Sequence, residues 1–97
     1  MTTNLGRILT TCGVAAMMRT DPMFAREVES CLARHSRGDW GDVSEDSRRM
    51  NDDALDAEMR GEPTDRLFSL YNIGDGEIYI ITEWDGSVTT ILLPEEY

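Results

Sequence analysis

The sequence predicts an α+β domain in which helices pack on one face of an antiparallel sheet. Two observations predict it. Residues 66–97 hold three runs rich in β-branched and aromatic residues, and two glycine-containing turns separate them, as is typical of a three-stranded meander. Earlier in the chain, apolar residues recur at helical spacing behind capping residues. The predicted order is therefore β-α-α-α-β-β-β, in a single domain of 97 residues.

The first two elements are short. The apolar run over residues 5–10 is compatible with a strand or a helix, and we predict a strand that joins the sheet at an edge. Thr11 is then predicted to cap a helix over Cys12–Arg19. The chain would restart after that helix at Thr20.

Two further helices carry start signals. Asp21 is a good N-cap, and Pro22 fits the first helical position, because its missing N–H has no partner there in any helix. Gly38 ends this helix, whose apolar stripe is predicted to cover the core face of the meander. Ser44 caps a third helix that runs to about Met59, with acidic residues in its first turn, where the helix dipole favours anions.

Turn residues set a predicted register for the meander. Asp85-Gly86 suits a two-residue type I′ turn, which places Ile80 opposite Ile91. A five-residue loop over Asn72–Gly76 would place Phe68 opposite Ile80. One face is then apolar and forms the core: Phe68, Leu70, Ile78, Ile80, Ile91 and Leu93. The other face is mixed: Ser69, Tyr71, Tyr79, Ile81, Glu83, Val88, Thr90 and Leu92.

Charge narrows the class of partner. The formal net charge is −10, and all nine basic residues are arginine. Residues 1–38 carry a net charge of +2, whereas residues 39–65 carry −7 and residues 66–97 carry −5. Such a field repels a phosphate backbone, so direct nucleic-acid binding is disfavoured and a protein partner is favoured, for instance a basic nucleic-acid-binding protein. Acidity that only maintains solubility is the simpler interpretation.

Other compositional features indicate a cytoplasmic protein. No apolar run approaches the roughly 18 residues that span a bilayer, so no membrane association is expected. Residues 1–9 lack a basic start followed by an apolar run, so no signal peptide is predicted. Cys12 and Cys31 have no metal-binding spacing and are expected to be reduced. Neither a metal nor another cofactor is expected.

Segments along nearly the whole chain carry a family resemblance. They are Leu5-Gly6-Arg7-Ile8, Leu32-Ala33-Arg34-His35, Arg37-Gly38-Asp39-Trp40-Gly41, Asn51-Asp52, Arg66-Leu67-Phe68-Ser69-Leu70-Tyr71, Ile80-Ile81-Thr82-Glu83 and residues 88–97. On these segments the chain resembles a family of small proteins encoded on bacterial plasmids and other mobile elements. Some members are labelled modification (M) subunits of type I restriction systems. The sequence does not support that label, because it lacks the two loops that an adenine methyltransferase needs for its methyl donor and its flipped base.

The first candidate site centres on His35 and the acidic residues that follow it. The group is His35, Asp39, Trp40 and Asp42. A histidine with carboxylates can bind a metal or transfer a proton. The alternative is structural, with His35 hydrogen-bonded to the backbone of the following loop and Trp40 buried against the core.

Two further groups are candidate binding surfaces. The mixed face of the meander offers Arg66, Ser69, Tyr71, Tyr79, Glu83 and Thr90, which would either recognise a ligand or form a half-solvated sheet face. The third helix offers Asp52, Asp53 and Asp56, which would either imitate phosphates or form a solvated charged face.

Three functions remain open at this point. The first is a non-enzymatic accessory factor of a mobile element that binds a protein, for instance as an anti-restriction inhibitor or a DNA mimic; its interaction residues would be Asp39, Trp40, Asp42, Asp52, Asp53, Asp56, Ser69, Tyr71 and Glu83. The second is a small ribonuclease toxin of the RelE or barnase type; its working groups would be His35, Arg66, Tyr79 and Thr90. The third is a homodimeric module that buries the mixed sheet face against a copy of itself.

Overall fold

Three helices and four strands follow one another in the predicted order in the computed structural model, which describes residues 5–74 and 76–97. The strands are β1 (Arg7–Thr10), β2 (Leu67–Ile73), β3 (Gly76–Thr82) and β4 (Val88–Leu92). The helices are α1 (Cys12–Thr20), α2 (Pro22–Ser36) and α3 (Glu45–Met59), and a 3₁₀ turn spans Pro94–Glu96. The predicted α+β class and element order are confirmed. Residues 1–4, which belong to the segment predicted to lack a signal peptide, lie outside the described residues.

The sheet is mixed, with strand order β1-β4-β3-β2. The last three strands form the predicted antiparallel meander. The first strand lies at an edge, as predicted, and pairs in parallel with β4. No helix in the described part of the chain is long and apolar enough to cross a membrane.

The register of the second hairpin is confirmed, but its predicted turn is wrong. Ile80 pairs with Ile91, as the turn residues indicated. The ladder stops short of a two-residue loop, because Gly86 N–H donates to Glu83 O at 2.9 Å and closes a wider turn. A type I′ turn needs a positive φ at Asp85 as well, and among the described residues only glycines have one.

The register of the first hairpin differs from the prediction by one residue. Ile73 pairs with Gly76, so the loop is two residues long instead of five, and Phe68 lies opposite Ile81. Gly74 has a φ of +55°, a conformation that favours glycine and allows this tight reversal. Because side chains alternate along a strand, the slip turns every side chain of β2 to the other face. The structure thereby corrects the predicted faces of Ser69, Tyr71, Phe68 and Leu70.

The main core lies between the sheet and the first two helices. Its buried members are Val14, Phe24, Val28, Cys31, Tyr71, Ile73, Ile78, Ile80 and Ile91. Ile78, Ile80 and Ile91 were predicted from the meander, and Phe24, Val28 and Cys31 form the predicted apolar stripe of α2. Phe68 and Leu70, also predicted for the core, are only partly buried beside a second, smaller cluster. That cluster joins α3 to the sheet and consists of Trp40, Val43, Ala54 and Leu67.

The outer edge of β2 is covered rather than open. Asn51 of α3 holds both backbone groups of Phe68: its Nδ2 donates to the carbonyl at 2.6 Å, and its Oδ1 accepts from the N–H at 3.1 Å. Leu70 N–H donates to Trp40 O at 3.2 Å, and Leu70 O accepts from Asp42 N–H at 2.7 Å. An edge strand with satisfied backbone groups is a poor template for pairing with another chain.

The N-terminus of α1 is capped from the far end of the chain. Thr11 stands at the predicted N-cap but makes no capping hydrogen bond with its side chain. Its hydroxyl donates instead to Glu96, whose other carboxylate oxygen accepts Gly13 N–H at 3.0 Å. The hydrogen bond from Thr11, followed by the backbone N–H of Leu93, lowers the pKa of the Glu96 carboxyl. This carboxylate ties the last turn of the chain to the first helix.

Candidate functional site

His35 is fully buried between α2 and the sheet, and its ring connects two strands. Its Nδ1 lies 2.6 Å from Ser69 Oγ on β2, and its Nε2 lies 2.8 Å from Thr82 Oγ1 on β3. The ring also meets Trp40 edge to face, at 5.5 Å between centroids. The predicted hydrogen bond from His35 to the loop backbone is therefore wrong, because both ring nitrogens bind strand hydroxyls, whereas Trp40 is buried as the structural alternative predicted and contacts the ring.

Donor counting fixes the direction of this hydrogen-bond chain. Thr89 donates its one hydroxyl proton to the carbonyl of Leu5 at 2.6 Å. The 2.8 Å contact between Thr82 and Thr89 must then use the proton of Thr82. Thr82 has no second proton, so His35 Nε2 carries the hydrogen that it shares with Thr82. Burial favours the neutral ring, and in a neutral ring with its proton on Nε2 the Nδ1 atom accepts from Ser69.

The environment of His35 suits a structural role better than a catalytic one. Burial lowers the pKa of His35 from 6.5 to about 4, because the charged ring would lose its hydration. The surrounding hydroxyls cannot compensate a positive charge as a carboxylate would. A general base must reach the proton that it removes, and this ring has no exposed surface. His35 therefore holds α2 against β2 and β3.

The acidic residues near His35 in sequence bind other partners. Asp39 pairs with Arg34 at 2.8 Å, and this hydrogen bond lowers the pKa of the Asp39 carboxyl. Asp42 accepts a hydrogen bond from Asn72 at 2.6 Å. Within residues 5–74 and 76–97, no group of three or more His, Cys, Asp or Glu side chains is arranged to hold a metal ion.

Trp40 belongs to the core instead of the surface. Its side chain is buried in the cluster that joins α3 to the sheet, and its Nε1–H donates to Asp52 at 2.9 Å. The two neighbouring carboxylates of α3, Asp53 and Asp56, are exposed. All three members of the acidic triad predicted on this helix are therefore exposed, and one of them, Asp52, also accepts the hydrogen bond from Trp40.

The predicted polar face of the meander is divided between the two sides of the sheet. Ser69 and Tyr71 lie under the helices, where the Tyr71 hydroxyl donates to Asp39 O at 2.6 Å. Burial raises the pKa of Tyr71 to about 12. By the alternation of side chains, Arg66, Tyr79 and Thr90 belong to the opposite face.

This division separates the groups that a ribonuclease would need. His35 lies on the helix-covered face, and its three supposed companions lie on the other. The sheet itself stands between them. Glu83 is exposed just beyond the end of β3.

An aromatic cluster occupies the open face, and the sequence analysis missed its organising residue, Tyr97. The ring of Tyr97 lies 6.3 Å from that of Phe68 and 5.7 Å from that of Tyr79, which are themselves 4.9 Å apart. The Arg66 guanidinium lies 5.5 Å from the Tyr97 centroid and donates to its hydroxyl. A depression of about 310 Å³ lies beside these rings and extends to Met50 of α3.

Comparison with protein-family models, curated proteins and solved structures finds no match.

Proposed function

We propose that this protein is a non-enzymatic accessory factor of a bacterial plasmid or another mobile element, and that it acts by binding a basic protein partner in the cytoplasm. One observation carries the proposal: the exposed side of α3 presents carboxylates that arginines do not neutralise. The mobile-element setting is what the sequence resemblance implies.

The charge on α3 supports a basic partner. Asp46, Asp53 and Asp56 are exposed, and none of them takes part in an ion pair among the described residues. The ion pair of Arg48 with Glu45 on this helix is long at 3.8 Å and solvated, so it neutralises little of the field. A surface of one sign attracts an oppositely charged partner and accelerates encounter.

A specific form of this proposal is inhibition of a DNA-binding defence protein. A restriction enzyme or its regulator presents a basic surface to the phosphate backbone, and a helix lined with carboxylates competes for that surface. The same charge opposes direct contact between this protein and nucleic acid. The anti-restriction and DNA-mimic functions therefore follow from one surface.

The open face of the sheet favours a second function, self-association. Leu9, Phe68 and Tyr79 lie there only partly buried or exposed, although Ile81 and Leu92 on the same face are buried. Burying such a face against a copy would remove apolar area from water. The net charge of −10 works against this alternative, because two copies repel each other. Sedimentation over a range of concentrations measures it directly.

Capture from host lysate tests the proposal. Immobilised protein is expected to retain a basic protein at about 150 mM salt and to release it at higher salt, as screening weakens the attraction. The double substitution Asp53→Asn/Asp56→Asn should reduce retention. Its matched control, Glu27→Gln/Glu29→Gln, removes the same charge from α2 and should retain the partner. Retention of nothing, or equal loss in both variants, contradicts the proposal.

A further inference from the structure

A groove lies where the junction of α1 and α2 faces the β2–β3 hairpin and the 3₁₀ turn. Its volume is about 500 Å³, within the range of sites that hold a ligand or several side chains. The floor and walls are apolar: Met17, Phe24, Ile73, Leu93 and Pro94. Two glycines, Gly74 and Gly76, form the hairpin side, and a Cβ added at either would meet nothing within 4 Å apart from its chain neighbours.

Part of this apolar surface is accessible in the folded protein. Met17 is 41% exposed although it lies one turn from residues that pack in the core. Phe24 and Ile73 are almost fully buried and provide rigid walls beneath it. Methionine adapts to the shape of what it contacts, so Met17 suits a surface that receives a partner side chain.

Carboxylates form the rim of the groove. Asp21, Glu77 and Glu95 line it, and none of its described lining residues is basic. The hydrogen bonds by which Asp21 caps α2 both use Oδ1. No hydrogen bond or ion pair among the described residues involves Glu77 or Glu95, so these charges are available to an incoming cation.

We propose that this groove docks a short basic segment of the protein partner, with one bulky apolar side chain on the floor and flanking lysines or arginines on the rim. The inference rests on the proposed function and assigns it a second contact surface, distinct from α3. Three carboxylates around an apolar floor match a chain with several cations better than a single amine. They also oppose a second copy of this acidic protein.

Synthetic peptides test the groove. The probe is a fluorescein-labelled hexapeptide, Lys-Arg-Leu-Trp-Arg-Lys, measured by fluorescence anisotropy at about 150 mM salt, with an expected Kd on the order of 10 µM. The variant Glu77→Lys/Glu95→Lys should bind at least about tenfold more weakly. Asp53→Lys/Asp56→Lys on α3 changes the net charge equally and should bind within about twofold of the unchanged protein.

The apolar requirement has its own pair of variants. Met17→Ala should weaken binding about threefold or more, whereas Met23→Ala, at an exposed position outside the groove, should not change it. A peptide with alanines in place of its Leu and Trp should lose binding, and one with glutamates in place of its basic residues should not bind.

Several results overturn the groove without touching the proposed function. They are no binding of the probe up to about 1 mM, equal weakening by both charge-reversal pairs, and equal binding of the alanine peptide. If Glu77→Lys/Glu95→Lys still retains the lysate partner, the groove is not the docking site, although partner binding itself is supported. Conversely, if the peptide binds but no protein is captured from the lysate, the groove is supported as a peptide-binding site and the accessory function is contradicted.

Discussion

His35 Nε2 donates a 2.8 Å hydrogen bond to Thr82 Oγ1, so the only histidine of the chain joins α2 to the middle of the sheet. The chain of hydroxyls that follows ends on the backbone carbonyl of Leu5, just before β1. Among the described residues no buried side-chain nitrogen or oxygen lacks a partner. A satisfied polar network inside a core fixes one arrangement of its elements, because any shift leaves a buried group unpaired.

This environment predicts a stability that falls as pH falls. The folded pKa of His35 is about 4, and that of the unfolded chain is near 6.5. Below pH 6.5 the unfolded state binds a proton that the folded state does not, so the free energy of unfolding should fall by about 2 kcal/mol between pH 7.5 and pH 5. Urea denaturation at each pH measures it.

The control for this pH dependence is His35→Gln. This variant should lose most of the change in unfolding free energy between pH 7.5 and pH 5. The depressed pKa values of Asp39, Asp85 and Glu96 act at lower pH, because their ordinary values are 3.8 to 4.5. If the variant does not fold, titration of the His35 ring by NMR gives the same answer. A ring that titrates near 6.5 in the folded protein contradicts the prediction.

Ser69→Ala and Thr90→Ala form a matched test of the two sheet faces. Ser69→Ala removes the donor to buried His35 Nδ1 and should destabilise the fold by about 1–3 kcal/mol. Thr90→Ala changes a half-buried hydroxyl on the open face and should cost less than about 1 kcal/mol. Denaturant midpoints compare them. Equal effects would favour the register with both hydroxyls on one face.

Gly41→Ala and Gly61→Ala separate steric conflict from backbone strain. Both glycines have positive φ, at 75° and 70°, so an alanine costs about 1 kcal/mol at either position on that ground. At Gly41 the new Cβ would also lie 2.1 Å from Leu70 O, whereas at Gly61 nothing lies within 4 Å. Gly41→Ala should therefore destabilise by several kcal/mol more in thermal or urea unfolding. Similar midpoints for the two variants would show that the 40–42 segment is not held against β2.

Asn51→Ala should expose the edge of β2. It removes both bonds to the backbone of Phe68 and should cost about 2–3 kcal/mol. Asn72→Ala, the control, loses one solvent-exposed bond to Asp42 and should cost less than about 1 kcal/mol. Hydrogen exchange of the Phe68 amide should accelerate in the first variant and stay unchanged in the second. Unchanged exchange in both contradicts the covering role of Asn51.

Local signals predicted most of the fold, because the residues that start and stop the helices act within a few positions. Asp21 caps α2 as expected, and Ser44 caps α3 at the expected residue. The register of the first hairpin depended on loop length, which the glycines alone did not determine. Thr11 also shows the limit of local rules, since the cap of its helix comes from Glu96.

The candidate sites were harder to predict because their groups depend on which face each strand presents. A one-residue slip placed Ser69 beside His35 instead of beside Tyr79, and the resulting buried network has no local sequence signature. The role of Asn51 was likewise hidden, since its bonds go to a strand that begins sixteen residues later. The sequence identified Phe68 and Tyr79 as aromatic strand residues, but it did not predict that the ring of Tyr97 packs against both.

The parallel pairing of β1 with β4 has a consequence for biosynthesis. Arg7 lies opposite Val88, so β1 gains its strand neighbour only after the roughly eighty residues between them have been made. The α1 terminus waits still longer, for the carboxylate of Glu96. Contacts between such distant positions slow folding. The sheet should therefore be completed late in folding, when β4 forms and gives β1 its neighbour.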